Sequence, residues 1–221
     1  MVAMSRRIGL GDIFVMSTLY ALLVGIDAYP PGVRTLHGCV NDVGRYQEYL
    51  TRRFDPAKLA IEVLTDGDAT YANVVGQFRR HLGRARAGDV ALFQYCGHGA
   101  RSGSAPEFLE FYPDGKDEGL VCVDSRVGDG FDLADKELAV LVAEVARHDP
   151  HFAMILDCCH SGSATRSGDR LLARSADGLV ARSTEGLPYQ RQFESYLDGY
   201  YADLRDKGAS LSIPAGKVFR A

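Results

Sequence analysis

The stretch FAMILDCCHSG, residues 152–162, decides the fold. An apolar run ends in an acid, two cysteines and a histidine, then opens into small, flexible residues. A short apolar run bounded by breakers predicts a strand buried on both faces. Its polar cluster then lies at the carboxyl end of the strand, where open α/β sheets place their chemistry. A second stretch, DVALFQYCGHG at residues 89–99, repeats the pattern: an apolar strand, Cys96, then His98 between two glycines. Two parallel strands ending this way set a thiol beside an imidazole.

Working outward, the chain alternates strand and helix. Tyr20 to Ile26 reads as the first strand, with Asp27 marking its end. A helix follows in GCVNDVGRYQEYLTRRF, with Asn41 or Asp42 as its cap. Lys58 to Leu64 is a second strand. Thr70 caps a helix whose Val74, Val75, Phe78, Leu82 and Ala85 form one stripe, with Gly88 as the stop. Phe108 to Tyr112 and Leu120 to Val123, around the turn PDGK, predict a β-hairpin laid over the sheet end. Asp132 or Asp135 caps a third helix that runs to His148, with Leu138, Leu141, Val142 and Val145 inward. Asp149-Pro150 ends it. FESYLDGYYADLRD, residues 193–206, reads as one more helix, and GKVFRA, residues 216–221, as the start of a fifth strand. The order predicts a doubly wound, mainly parallel α/β sheet with a hairpin insertion.

Length and composition set the bounds. The 221 residues suit one domain with a full core. We divide them into an N-terminal extension (1–17), a catalytic domain (18–187) and a following region (188–221). Asp12 interrupts the apolar N-terminal run and no small-residue cleavage site is evident, so it is not read as a signal or anchor. A net charge of −4 gives no support to a nucleic-acid or anionic-membrane partner. The five cysteines are an odd number, and three lie beside strand ends, which points to reduced thiols and a cytoplasmic setting.

A thiolate is a nucleophile where a neighbouring base takes its proton. Cys159 and His98 are the candidates, with the N–H groups of Gly99 and Cys159 as donors to a tetrahedral oxyanion. Taken singly, Cys159 reads as a core thiol and His98 as a loop residue; it is their pairing at matched strand ends that suggests chemistry. A phosphatase loop is excluded, because Thr165 stands where that loop needs arginine. A zinc site from Cys96, His98, Cys158 and His160 has suitable ligand types at an unusual spacing.

The motifs YCGHG and DCCHSG together resemble those of the caspase-like cysteine peptidases, and most closely the metacaspases and their prokaryotic relatives. The gap from His98 to Cys159 is about ten residues longer than the roughly fifty of caspases proper. The resemblance implies the caspase-like fold, a Cys159–His98 dyad, and cleavage of protein or peptide substrates after Arg or Lys. It places Cys158 in a variable slot and gives His160 no role as the base. Asp42 and Asp157 match positions lining an acidic specificity pocket, Cys39 falls in the same pocket motif, and Cys96 stands where the family usually has serine. For Asp42 a helix cap is the competing reading. The catalytic chemistry requires no cofactor. Many metacaspases are activated by calcium, for which Asp114, Asp117, Glu118 and Asp129 offer oxygens, although a solvated turn explains the same acids. The family's small portion, which adds strands to the sheet, is expected to be missing at the C-terminus. A separate small-portion partner or self-association through the exposed strand edge is therefore expected. The alternative is an incomplete, non-catalytic binding domain. Two AR-Ser repeats, ending at Arg174 and Arg182, are expected self-cleavage sites.

Overall fold

The computed structural model describes residues 17–158 and 190–207. Its centre is a parallel sheet of β1 (Leu19–Gly25), β2 (Leu59–Thr65), β3 (Val90–Cys96) and β7 (His151–Asp157), in the order β2-β1-β3-β7. The registers are level: Gly25 pairs with Thr65 and with Cys96, and Cys96 pairs with Asp157. All four strands therefore end in one row.

Helices cover both faces, as alternating strands and helices require. On one side lie α2 (Tyr71–Arg80) and α3 (Asp135–Ala146). Phe78 of α2 stacks at 5.2 Å on Phe93 and at 6.0 Å on Phe152. Arg79 and Glu144 join the two helices through two hydrogen bonds, at 2.8 and 3.0 Å. On the other side lies α1 (Cys39–Arg53), which packs so closely on β1 that a Cβ on Gly25 would meet Val43 Cγ2 at 2.7 Å and the Cys39 carbonyl at 2.9 Å. The expected stripe of Val74, Val75, Phe78, Leu82 and Ala85 is buried throughout. Thr70 caps α2 by accepting from the Asn73 N–H.

Several expectations need correction. α2 stops at Arg80, short of Gly88, which instead takes φ +90° in the turn before β3. The strand in FAMILDCCHSG is covered on one face only. α1 packs mainly on β1, β2 and β3, and on β7 His151, Ala153 and Ile155 are exposed, Ile155 by 38%. The antiparallel insertion exists, but with other strands: β4 (Gly99–Gly103) pairs with β5 (Lys116–Leu120), and β5 with the short β6 (Leu133–Ala134). Residues 106–112 curl into turns instead, starting with a 3-10 helix at Pro106–Phe108. The reason is tertiary. Phe108 is buried in an aromatic cluster with Phe193, Tyr196 and Tyr201, which a hairpin strand would pull apart. Phe193–Gly199 is 3-10 with left-handed Leu197 and Asp198, and only Tyr200–Asp206 (α4) is α-helical. Residues 216–221 lie outside the described residues. No described helix is long and apolar enough to cross a membrane.

Residues 190–207 return to the body through Glu137. Its buried carboxylate accepts from Arg191 Nη1 and Nη2 at 2.9 and 2.7 Å, from the Leu197 and Ala134 N–H groups at 2.8 Å each, and from the Tyr71 hydroxyl at 2.8 Å. A buried carboxylate is tolerated when its lone pairs are filled in this way, and removing its cation costs far more than losing a surface pair. Replacing Arg191 with alanine is expected to lower stability by about 3–5 kcal/mol. Arg205→Ala, which removes exposed pairs to Glu194 and Asp206, should stay within about 0.5 kcal/mol. Urea unfolding of the two variants against the parent checks the contrast; equal effects would show that Glu137 is not the anchor.

Candidate active site

The level strand ends bring the polar residues together. Asp27, just past β1, is more than the strand's end marker. Its carboxylate accepts from the N–H groups of Gly38 at 3.0 and 3.2 Å, Cys39 at 2.9 Å and Val40 at 3.2 Å, filling the orphan donors at the start of α1. Asp66 in turn accepts from the Asp27 and Ala28 N–H groups at 2.8 Å each. Since Asp27 caps α1 and Gly38 is the cap residue, neither Asn41 nor Asp42 does so. Asp42 instead lies one turn in.

There Asp42 meets the other strand ends. The Cys96 thiol, fully buried, lies 3.9 Å from Asp42 Oδ2 and 3.6 Å from Asp157 Oδ2. One ligating atom from each of the three residues lies within 4.8 Å of the others. Both acids are partly exposed and the thiol is buried; the Asp42 side chain is 33% exposed, with Arg45 at 3.9 Å from Oδ1. The result is a small acidic recess with a thiol at its base. Cys39 is fully buried in the first turn of α1 and does not join this group.

His98 is held from all sides. Its Nε2 lies 2.7 Å from the Arg34 carbonyl oxygen. A carbonyl only accepts, so Nε2 carries the proton and Nδ1 is the nitrogen able to take another. The ring packs against Tyr29, centroids 4.8 Å apart. The His98 N–H donates to the Tyr29 hydroxyl at 2.9 Å, and Tyr29 donates to the Val121 carbonyl at 3.1 Å. The Tyr95 hydroxyl reaches the His98 carbonyl at 2.8 Å and that of Val121 at 2.9 Å. Burial raises both phenols well above their usual pKa, so they remain protonated donors. Gly97 is needed because the two hydroxyls crowd it: a Cβ there would meet Tyr95 Oη at 2.6 Å and Tyr29 Oη at 2.7 Å. Gly99, the expected oxyanion donor, is buried at the first position of β4.

The remaining expectations divide. Cys159, Arg174 and Arg182 lie outside the described residues. Of the zinc set of Cys96, His98, Cys158 and His160, His160 lies outside the described residues, while Cys96 meets the two carboxylates and His98 Nε2 meets a carbonyl. Among the described residues the four calcium acids do not bring their oxygens together in one group. Asp117 is held by Lys136 Nζ at 2.8 Å and by the Tyr196 hydroxyl, Asp114 by Arg101, and Glu118 and Asp129 are exposed. Asp117 and Asp114 are thus paired with the protein's own cations. Tyr29, Tyr95, Asp27 and the Arg34 carbonyl were not singled out from the sequence. Only the aromatic in GIDAY and the acid after a strand hinted at them.

Comparison with known proteins agrees with this geometry. Residues 20–167 match the family described as metacaspase, peptidase C14 domain. Metacaspase-9 of Arabidopsis thaliana is 36% identical over 149 residues, covering 64% of this chain and 43% of that protein. Metacaspase-1 of Coccidioides immitis is 33% identical over 151 residues, covering 65% of this chain and 31% of its own length. The chain thus spans less than half of these curated relatives. Among solved structures, protein GSU0716 from Geobacter sulfurreducens superposes with a TM-score of 0.51 at 26% identity, over 66% of this chain and 52% of that one. The level strand ends, the braced histidine and the matched family model lead to one conclusion: the chain belongs to the metacaspase family of cysteine peptidases.

Proposed function

We propose that the chain is a cysteine endopeptidase that cuts after Arg or Lys, with Cys159 as nucleophile and His98 as its base. The observation that carries the dyad is the β3–β7 register. Cys96 stands opposite Asp157, so two further residues along each chain lead to His98 and Cys159. The motif register makes Cys159 the nucleophile and leaves Cys158 in the variable slot before it.

The chemistry follows from the His98 tautomer. Nδ1 takes the thiol proton as the sulfur attacks the scissile carbonyl carbon, and the oxyanion forms against the Gly99 and Cys159 N–H groups. His98 returns that proton to the leaving amine as the C–N bond breaks, leaving a thioester. Water then attacks the thioester, giving His98 its proton, and the sulfur leaves and is reprotonated. No step needs a metal.

The recess of Asp42 and Asp157 supports the preference for a basic residue. Two carboxylates side by side repel each other and pair well with a guanidinium or ammonium, while rejecting an acidic side chain. No described strand pairs with the outer edge of β7, which leaves room for a further strand from a small-portion partner or a second copy.

Cys159→Ala is expected to abolish both peptide hydrolysis and labelling by thiol-reactive inhibitors, whereas Cys158→Ala keeps most of each. Equal losses in two folded variants would reassign the nucleophile. Asp157→Ala and Asp42→Ala should each reduce the preference for Arg over an uncharged residue, by about 2–5 kcal/mol in kcat/KM terms. A parent protein that prefers Asp-ending peptides would overturn the specificity. We also propose that the active chain cuts itself after Arg174 or Arg182, because tethering raises the local substrate concentration to about millimolar. Intact-mass measurement should find fragments ending at these residues, absent from Cys159→Ala. An uncut chain that still hydrolyses an Arg-ending peptide would rule self-cleavage out.

A further inference from the structure

Where the metacaspase pattern usually has serine, this recess has a thiol, and that changes what it can hold. We infer that Asp42, Cys96 and Asp157 form a binding site for a thiophilic divalent cation, Zn2+ by its chemistry, which closes the recess to a basic side chain.

The geometry suits the ion. A tetrahedral Zn2+ with Zn–S of about 2.3 Å and Zn–O of about 2.0 Å needs sulfur–oxygen separations of about 3.5 Å. The observed separations, 3.6 Å to Asp157 and 3.9 Å to Asp42, reach that value with small side-chain shifts. The ligands come from three separate elements, β3, β7 and α1, two of them locked in register, so the set is preorganised. Cys96 lies buried at the base, and both acids are partly exposed. An entering ion would meet carboxylates first and sulfur last. Three protein ligands leave a fourth position for water, as in open zinc sites.

Gln94 adds a separate observation. It projects from the same face of β3 as Cys96, is fully buried, and neither its side-chain oxygen nor its nitrogen has a hydrogen-bond partner. A buried amide in that condition can accept a polar occupant close by. Two residues back along β3 from the thiol, such an amide is placed to accept from water carried by a metal.

Charge and softness select the ion. The two carboxylates of the recess carry like charges that a dication relieves. The thiolate favours Zn2+ over Ca2+ or Mg2+, which take oxygen ligands alone. On binding, the metal–sulfur bond forms as the thiol proton leaves to solvent, with no change of oxidation state. The same two carboxylates serve the basic residue under the proposed specificity, so metal and substrate exclude each other; this consequence alone rests on that specificity.

The test separates the two claims by using the full chain as Cys159→Ala, which has no catalysis to lose and no nucleophilic thiol to bind metal. Titration with Co2+ should produce a thiolate-to-cobalt charge-transfer band at one equivalent. Zn2+ should displace it, and a large excess of Ca2+ should not. Adding Cys96→Ser, nearly isosteric, should abolish the band and weaken Zn2+ binding by more than about 100-fold, since even outer-shell partners are worth about 10–100-fold. Asp157→Asn should weaken it in the same direction, and circular dichroism confirms that each variant is folded. A band that survives Cys96→Ser, or its absence from the folded Cys159→Ala protein, overturns the inference whatever the protease assays show. In the active protein, Zn2+ should inhibit Arg-peptide hydrolysis competitively. Non-competitive inhibition alongside an intact cobalt band would place the metal here and overturn its effect on the basic-residue recess.

Discussion

The level parallel register of the central sheet is the constraint on which everything else rests. Thr65, Gly25, Cys96 and Asp157 share one row, so each loop leaves its strand at the same height. A slip of one residue in β3 or β7 would turn Cys96 or Asp157 to the opposite face and dissolve the recess. Parallel strands bear this requirement because helices must return the chain to the same edge each time, and the helices are themselves fixed by what they bury.

At the row's edge, backbone polarity is handled by side chains from elsewhere. Asp27 and Asp66 cap the loop after β1 and the start of α1, which fixes the Arg34 carbonyl and Asp42 together. Tyr29 and Tyr95 supply the hydrogen bonds that the sharp turn at Gly97 denies to its neighbours. These phenols are buried and neutral, so they stiffen the histidine without adding charge beside it. The glycine in YCGHG is thus explained by crowding from two hydroxyls, with no need for an unusual backbone angle.

The second sheet and the returning segment solve a different problem. Around the second sheet several charges are buried or nearly so, and each is met by a specific partner: Lys136 by Asp117 and Asp135, Arg191 by Glu137, Arg126 by Asp132. Burial pushes the Asp132 and Asp135 carboxyls up to about 6, against the pull of Arg126 and Lys136 respectively. Asp114 and Asp117, which look from the sequence like metal ligands, are here tied to Arg101 and Lys136. Composition could not distinguish the two uses, because a carboxylate near a turn reads the same whether its partner is an ion or a lysine twenty residues away.

The sequence by itself determined the alternation of strands and helices, the two motif-bearing strand ends, and the α2 stripe, since these depend on local periodicity and on residues adjacent in the chain. It also pointed to Asp42, Asp157 and Cys96 as neighbours, through resemblance. It misplaced the hairpin, because the partners that bury Phe108 come from residues 193–201. It read β7 as covered on both faces, because apolar content does not show what packs on each face. Only the tertiary structure decided that Asp27 caps α1, leaving Asp42 to face the Cys96 thiol, and that the Arg34 carbonyl fixes the proton on His98. Each is a contact between segments far apart in sequence, made by a single hydrogen-bonding atom whose direction no local pattern encodes.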